Sequence, residues 1–213
     1  MKQNRAKIIG ITGGIATGKS TVVKILKSMN FIVIEADEIS KEVVKKGKPG
    51  LTKIVEKFGE NILLEDGELN RKKLGEIIFN NEDKRKELNE IMHPIIIKEI
   101  LDRLKSYIFK YDIIFIDMPL LFETKELLSD MGLYFDEIWL VYCDEDVQLN
   151  RLMKRENIEF DYALKKIKSQ LDSNYKKKYS DKIIYNNGSL EELEKTVIDM
   201  VKELRSDKNE KDV

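Results

Sequence analysis

Five short apolar runs stand out from a chain that is otherwise rich in charged and polar positions: Lys7–Thr12, Phe31–Ala36, Ile113–Asp117, Glu137–Cys143 and Lys182–Tyr185. Each is four to seven residues long and rich in β-branched or aromatic side chains. Short, nearly continuous apolar runs are the mark of strands buried on both faces of a parallel sheet. Between them the apolar period lengthens to that of a helix. Leu190, Leu193, Val197, Val201 and Leu204 share one face, and Ser189 with Glu192 forms a capping box that starts this last helix. Strand and helix in alternation predict an α/β fold, a five-stranded parallel sheet flanked by helices.

Two connections are longer than a simple crossover requires. Between Asp37 and Asp117 the pattern is helical and charged, with turn signals at Gly47–Gly50 and Glu65–Gly67, so a helical subdomain is expected there. The stretch Asp144–Asp181 reads as one long helix or a helical hairpin. Both leave the carboxyl ends of strands, where open α/β sheets bind their ligands, and are candidates for a substrate cover and a lid.

Composition narrows the setting. With 213 residues, 42% of them hydrophobic, the chain can bury a core as one domain with an elaboration. The 38 basic and 39 acidic side chains nearly cancel, so no global field draws it to nucleic acid or to an anionic membrane. The lone Cys143 excludes an intrachain disulfide, no apolar stretch approaches the roughly 20 residues that cross a bilayer, and Met1–Lys7 is too polar for a secretory signal. A cytoplasmic protein without a nucleic-acid, membrane or obligate protein partner is expected.

Gly13–Ser20 fits G-x-x-x-x-G-K-[ST], between a strand and a helix-like run, Thr21–Met29. Glycines let the backbone curl so that its N–H groups face phosphate oxygens, and the helix adds its positive end. A chance glycine-rich turn is the competing account, and the flanking strand and helix argue against it. Gly14, Ala16, Thr17, Gly18, Lys19, Ser20 and Thr21 are the candidate nucleoside-triphosphate contacts, with Lys19 reaching the β- and γ-phosphates and Ser20 holding Mg²⁺.

Asp117 ends an apolar strand and suits a second, metal-associated acid, although an Asp there could also cap a neighbouring helix. Asp37 ends the strand after the phosphate-loop helix, where it could accept the proton of an attacking hydroxyl or merely cap the helix from Glu38 onward. Gln148, Arg151 and Arg155 share a helix face that is either solvated or aimed at transferring phosphate. His93, the only histidine, and Trp139 read first as structural residues, and Lys176–Lys178 as lysines facing solvent or a ligand phosphate.

No N-K-x-D run for guanine is present, and a small sheet with two helical excursions suits a kinase of a small metabolite, which must exclude water from the γ-phosphate. The segments "IIGITGGIATGKST", "FGENILLEDGELNRKKLGEIIF", "IMHPII", "IDMPLLFE", "VQLNRLMKREN" and "SDKIIYNNGS" closely resemble the dephospho-coenzyme A kinase family over nearly the whole chain. The resemblance implies a P-loop kinase that uses ATP to phosphorylate the ribose 3′-hydroxyl of dephospho-CoA. It also implies a core of residues 1–38, 108–145 and 180–205, a helical CoA-binding subdomain at 39–107, a lid at 146–179 and a frayed tail at 206–213.

Carried over by position, the resemblance makes Asp37 the general base, with Lys19 and Arg155 stabilising the phosphoryl group. It puts Arg151 and Asn187, beside Gly188, near adenine, and His93, Asp117 and Leu120 at the acceptor substrate. Two positions depart from the family pattern: Glu35 stands where the family has Asp, and Ser180 where it has Ala. A nucleoside or nucleoside monophosphate kinase with the same core, and a non-catalytic ATP-binding regulator, are the competing readings.

Overall fold

The structure, a computed structural model, describes residues 5–79 and 81–209, the side chains of 207–209 excepted. Its strands are β1 (Lys7–Gly13), β2 (Ile32–Glu35), β3 (Ile113–Asp117), β4 (Glu137–Tyr142) and β5 (Lys182–Tyr185). They form one parallel sheet in the order β2-β3-β1-β4-β5. β1 lies at its centre, in register with β3 (Ile9 beside Phe115) and with β4 (Ile11 beside Trp139). The carboxyl end of β1, where the phosphate loop begins, is thereby flanked by the ends of two other strands.

The chain divides into two compact units: Met1–Ile34 with Phe109–Glu123 and Phe135–Val213, and Glu35–Ile108 with Thr124–Tyr134. In the first, α1 (Lys19–Ser28) and α10 (Leu190–Asn209) cover one face of the sheet. Val22, Ile25 and Leu26 of α1 and Leu193, Val197, Val201 and Leu204 of α10 close a core over Ile9, Ile11, Phe115, Trp139 and Ile184. Trp139 is fully buried, edge-on to Phe115 with ring centroids 5.5 Å apart, and is core as its pattern predicts. Each such large side chain contributes about 1.5–3 kcal/mol by leaving water.

Several local expectations change. Leu190 stands exposed at the start of α10, and the helix runs on through Asn209, past the point where fraying is expected; the tail beyond it lies outside the described residues. The capping box forms: Ser189 N–H donates to Glu192 Oε2 (3.0 Å) and Glu192 N–H to Ser189 Oγ (3.3 Å). The second long connection is neither one helix nor a hairpin but three helices, α7 (Glu145–Glu156), α8 (Phe160–Lys168) and α9 (Ser173–Lys178). Asn157 ends α7 in the left-handed region at φ 52°, and Asp172 starts α9 by accepting from the N–H groups of Asn174 and Tyr175.

The second unit is helical: α2 (Ala36–Glu42), α3 (Pro49–Phe58), a 3₁₀ turn at Glu60–Ile62, α4 (Arg71–Phe79), α5 (Glu82–Tyr107) and α6 (Lys125–Asp130). Pro49 opens α3 where its missing N–H costs nothing, and Asn81 caps α5 by accepting from Lys84 N–H. Arg103 on α5 holds Glu42 of α2 and Glu99 of its own helix. Among the described residues no helix is long and apolar enough to cross a membrane.

Candidate active site

At Gly13 the end of β1 turns so tightly that a Cβ there would stand 2.8 Å from both Thr17 Oγ1 and Val141 O. Thr17 is buried, and its hydroxyl donates to Gly14 O (2.9 Å) to close the loop from inside. Ala16 takes φ 58°, which costs a non-glycine residue of order 1–2 kcal/mol, and Gly18 takes φ 94° as the N-cap of α1. No acidic residue occupies the first turn of α1, so its unpaired N–H groups present an undiminished positive end.

Lys19 opens that helix, and its Nζ lies 2.6 Å from the Asp117 carboxylate, with both side chains largely buried. Register explains the meeting, because Asp117 pairs with Ile11 just before the loop and Met118 N–H donates to Ile11 O (2.9 Å). Ser20, the next residue, is exposed. Among the described residues no cluster of three or more His, Cys, Asp or Glu is arranged to hold a metal. The oxygen donors at hand, the Ser20 hydroxyl and the Asp117 carboxylate, are the kind a hard divalent ion takes while keeping its phosphate and water ligands.

The predicted row on α7 separates into three roles. Gln148 is buried and donates to Ile15 O (2.6 Å), Arg151 donates to Asn186 O (2.8 Å), and Arg155 is exposed and paired with its neighbour Glu156 (2.8 Å). The structure thus brings Gln148 to the phosphate loop but not Arg155. Asn187 accepts from Asp144 N–H and donates to its carboxylate, tying the turn after β5 to the start of α7.

Asn186, which the pattern passes over, is buried and donates from Nδ2 to Thr17 O (2.8 Å); a Cβ on Gly18 would stand 2.1 Å from that nitrogen. The signal was an asparagine directly after an apolar strand, indistinguishable by type from Asn187 beside it. Lys176 also departs from expectation. It is 2% exposed and held by Glu123 at 2.7 Å, while Lys177 lies over the Tyr142 ring; only Lys178 of the three faces outward.

The acceptor-side candidates Asp37 and His93 belong to the second unit. The helix starts directly after β2, so Glu35 occupies the N-cap, without a side-chain cap bond, and Asp37 sits within the first turn, exposed. The capping alternative for Asp37 is therefore corrected: no cap is available to it one residue inside the helix. His93 lies within α5 immediately before Pro94, half-buried, and burial pushes its imidazole below the usual histidine range. Leu120, in the loop after β3, is partly exposed.

A parallel sheet whose central strand runs through a glycine loop into a lysine-headed helix, with an acid at the end of the adjacent strand, defines a phosphate-loop protein of the small-molecule kinase class. The family model for CoaE, dephospho-CoA kinase, matches residues 7–192. A dephospho-CoA kinase of Carboxydothermus hydrogenoformans is 44% identical over 90% of this chain and 91% of its own length. The crystal structure of a Thermus thermophilus protein, 26% identical, aligns with a TM-score of 0.73 over 94% of this chain and 99% of that one. The dephospho-CoA kinase of Campylobacter jejuni, 29% identical, aligns at 0.63 over 93% and 97%. The chain belongs to the dephospho-CoA kinase family, and is a kinase.

Proposed function

We propose that this chain transfers the γ-phosphoryl group of ATP to the ribose 3′-hydroxyl of dephospho-CoA, releasing CoA and ADP. The observation that carries the nucleotide half is the closed loop with Lys19 poised at its mouth, 2.6 Å from Asp117. Gly14, Ala16, Thr17, Gly18, Lys19, Ser20 and Thr21 cradle the triphosphate, with Lys19 on the β/γ oxygens. Arg151 and Asn187 border adenine. Such a transfer has little covalent chemistry for a protein to perform, so positioning and charge neutralisation account for the rate.

Ser20 would hold Mg²⁺, which when bound neutralises charge on the phosphate oxygens. Asp37 orients the 3′-hydroxyl and takes its proton; exposure at a helix start leaves its carboxylate accessible. His93, Asp117 and Leu120 contribute to the acceptor side. Arg155 stabilises the phosphoryl group once it exchanges Glu156 for that charge, a trade favoured as water leaves the site. A reducing cytoplasm suits the free, buried Cys143.

Coupled ADP release measured with dephospho-CoA, nucleosides and nucleoside monophosphates as acceptors tests the assignment. Turnover with dephospho-CoA should exceed the others by orders of magnitude. A nucleoside or nucleoside monophosphate turned over faster would overturn it.

A further inference from the structure

The tip of the phosphate loop is gripped from outside. Ile15 N–H donates to Gln170 Oε1 (2.7 Å), and Ile15 O accepts from Gln148 Nε2 (2.6 Å). Gln148 lies on α7, and Gln170 in the connection between α8 and α9, so one arm comes from a helix and the other from a loop of the same excursion. The demands of the two backbone groups, one donor and one acceptor, fix which end of each amide faces the loop.

These bonds have consequences beyond Ile15, because a trans peptide is planar and its C=O and N–H point in opposite directions. Holding Ile15 O toward α7 turns the Ala16 N–H the other way, toward the loop's concave side. Holding Ile15 N–H toward Gln170 turns Gly14 O inward, where it accepts from both the N–H (3.3 Å) and the hydroxyl (2.9 Å) of Thr17. Ala16 then keeps its left-handed conformation, which an alanine would leave if unconstrained. Ile15 and Ala16 also pack on Leu149, Leu152 and Ala163 of the excursion. Gly14 leaves room for the grip: a Cβ there would stand 2.9 Å from Gln148 Nε2.

We propose that Gln170 is a positioning residue for phosphoryl transfer: with Gln148 it grips Ile15 from both sides and so aims the Ala16 N–H at the nucleotide's phosphates. The proposal rests on the reading of Gly13–Ser20 as the ATP cradle. The excursion's grip on Ile15 is on this account part of the phosphate site.

Gln170→Met keeps volume and removes the acceptor; Gln170→Glu keeps an acceptor at the same reach. Steady-state kinetics with each substrate varied, ADP binding by calorimetry and thermal melting are measured on the full chain. Gln170→Met should raise the KM for ATP and the Kd for ADP about tenfold, as expected for a stranded loop N–H, with the KM for dephospho-CoA within twofold of wild type. Gln170→Glu should stay within about threefold of wild type for ATP. Gln148→Met, which removes the opposite arm, carries the same expectation should Gln170→Met not fold. An ATP KM within twofold of wild type in the Met variants would overturn the proposal, as would a rise in both KM values that tracks a loss of melting temperature. Failure of wild type itself to bind ADP would instead overturn the reading of the cradle.

Discussion

The phosphate loop of the first unit and the proposed acceptor-side residues of the second are held by different means. Around the phosphate loop the main chain is the instrument: Gly13 and Gly18 leave no space for a Cβ, Thr17 and Asn186 are buried and bonded to backbone carbonyls, and Lys19 is locked to Asp117. On the acceptor side the instruments are side chains on helices, Asp37 exposed in the first turn of α2 and His93 half-buried in α5. Binding phosphate by backbone N–H groups demands one particular curve of chain. Presenting a carboxylate to a hydroxyl demands only a helix in the right place.

That difference should separate kinetically. Asp37→Asn keeps size and helix while removing the base, so kcat should fall by about 10²–10⁴-fold with the Kd for ATP within twofold of wild type. A kcat near that of wild type would end the base assignment. Lys19→Ala acts on the other side: kcat/KM for ATP should fall about 10²–10³-fold. It also leaves the buried Asp117 without its lysine, so a lower melting temperature should accompany it. ATP turnover retained in Lys19→Ala would contradict the cradle itself.

The same contrast explains what the sequence made legible. The five strands, Gly13–Ser20 and the capping box of α10 are local: period, turn residues and spacing are all written in a few consecutive positions. Asp117 could be placed at a strand end, but its meeting with Lys19 depends on which strands are neighbours, and a β3-β1-β4 order is not written in any one segment. Asn186 and Gln170 were passed over, and Lys176 was placed at solvent or a ligand phosphate, for that reason. Each is a polar residue whose partner, Thr17, Glu123 or Ile15, lies far away along the chain, and each looks like an ordinary surface residue until the sheet brings them together. Asp37 was picked out by its place after β2 with base and cap both open, and the family segments favoured the base; they alone moved His93 from a structural reading to the acceptor side, since a lone His before Pro94 carries no distinctive spacing.

Gly18→Ala tests whether main-chain shape is as demanding as the comparison implies. At φ 94° an alanine is strained, and its Cβ would meet Asn186 Nδ2 at 2.1 Å, so Asn186 must give up its bond to Thr17 O. Strain and a stranded buried amide together should cost about 2–4 kcal/mol of stability, read by chemical denaturation, with ATP binding weakened alongside. An equivalent change on the acceptor side, Ser40→Ala in the exposed first helix after β2, removes only a hydroxyl bonded to Asp37 O and should fall within about 0.5 kcal/mol of wild type. Equal costs for the two would erase the contrast.

A smaller effect than that of Gly18→Ala concerns Asp136 of the first unit, at the opposite end of the sheet from the phosphate loop. Asp136 accepts from both terminal nitrogens of Arg5 (2.7 and 2.6 Å) and from Ile8 N–H (2.7 Å), the latter bond tying the start of β4 to β1. Partial burial pushes its carboxyl up, but those bonds outweigh it and hold the group below the usual aspartate range. The sign follows: with the folded pKa below the unfolded one, the stabilisation is complete above the ordinary aspartate value near ~4 and is lost as pH falls through it toward the folded value. Because the pair is partly solvated, its worth is about 1 kcal/mol, or roughly 2–4 °C of melting temperature in a chain this size. Asp136→Asn retains an acceptor for Ile8 N–H but not the charge, so the variant should melt a few degrees lower at pH 7 and the gap should narrow as pH falls from about 5 to about 3. A gap independent of pH over that range would show that the side chain acts through its shape and neutral bonds, and not through its charge.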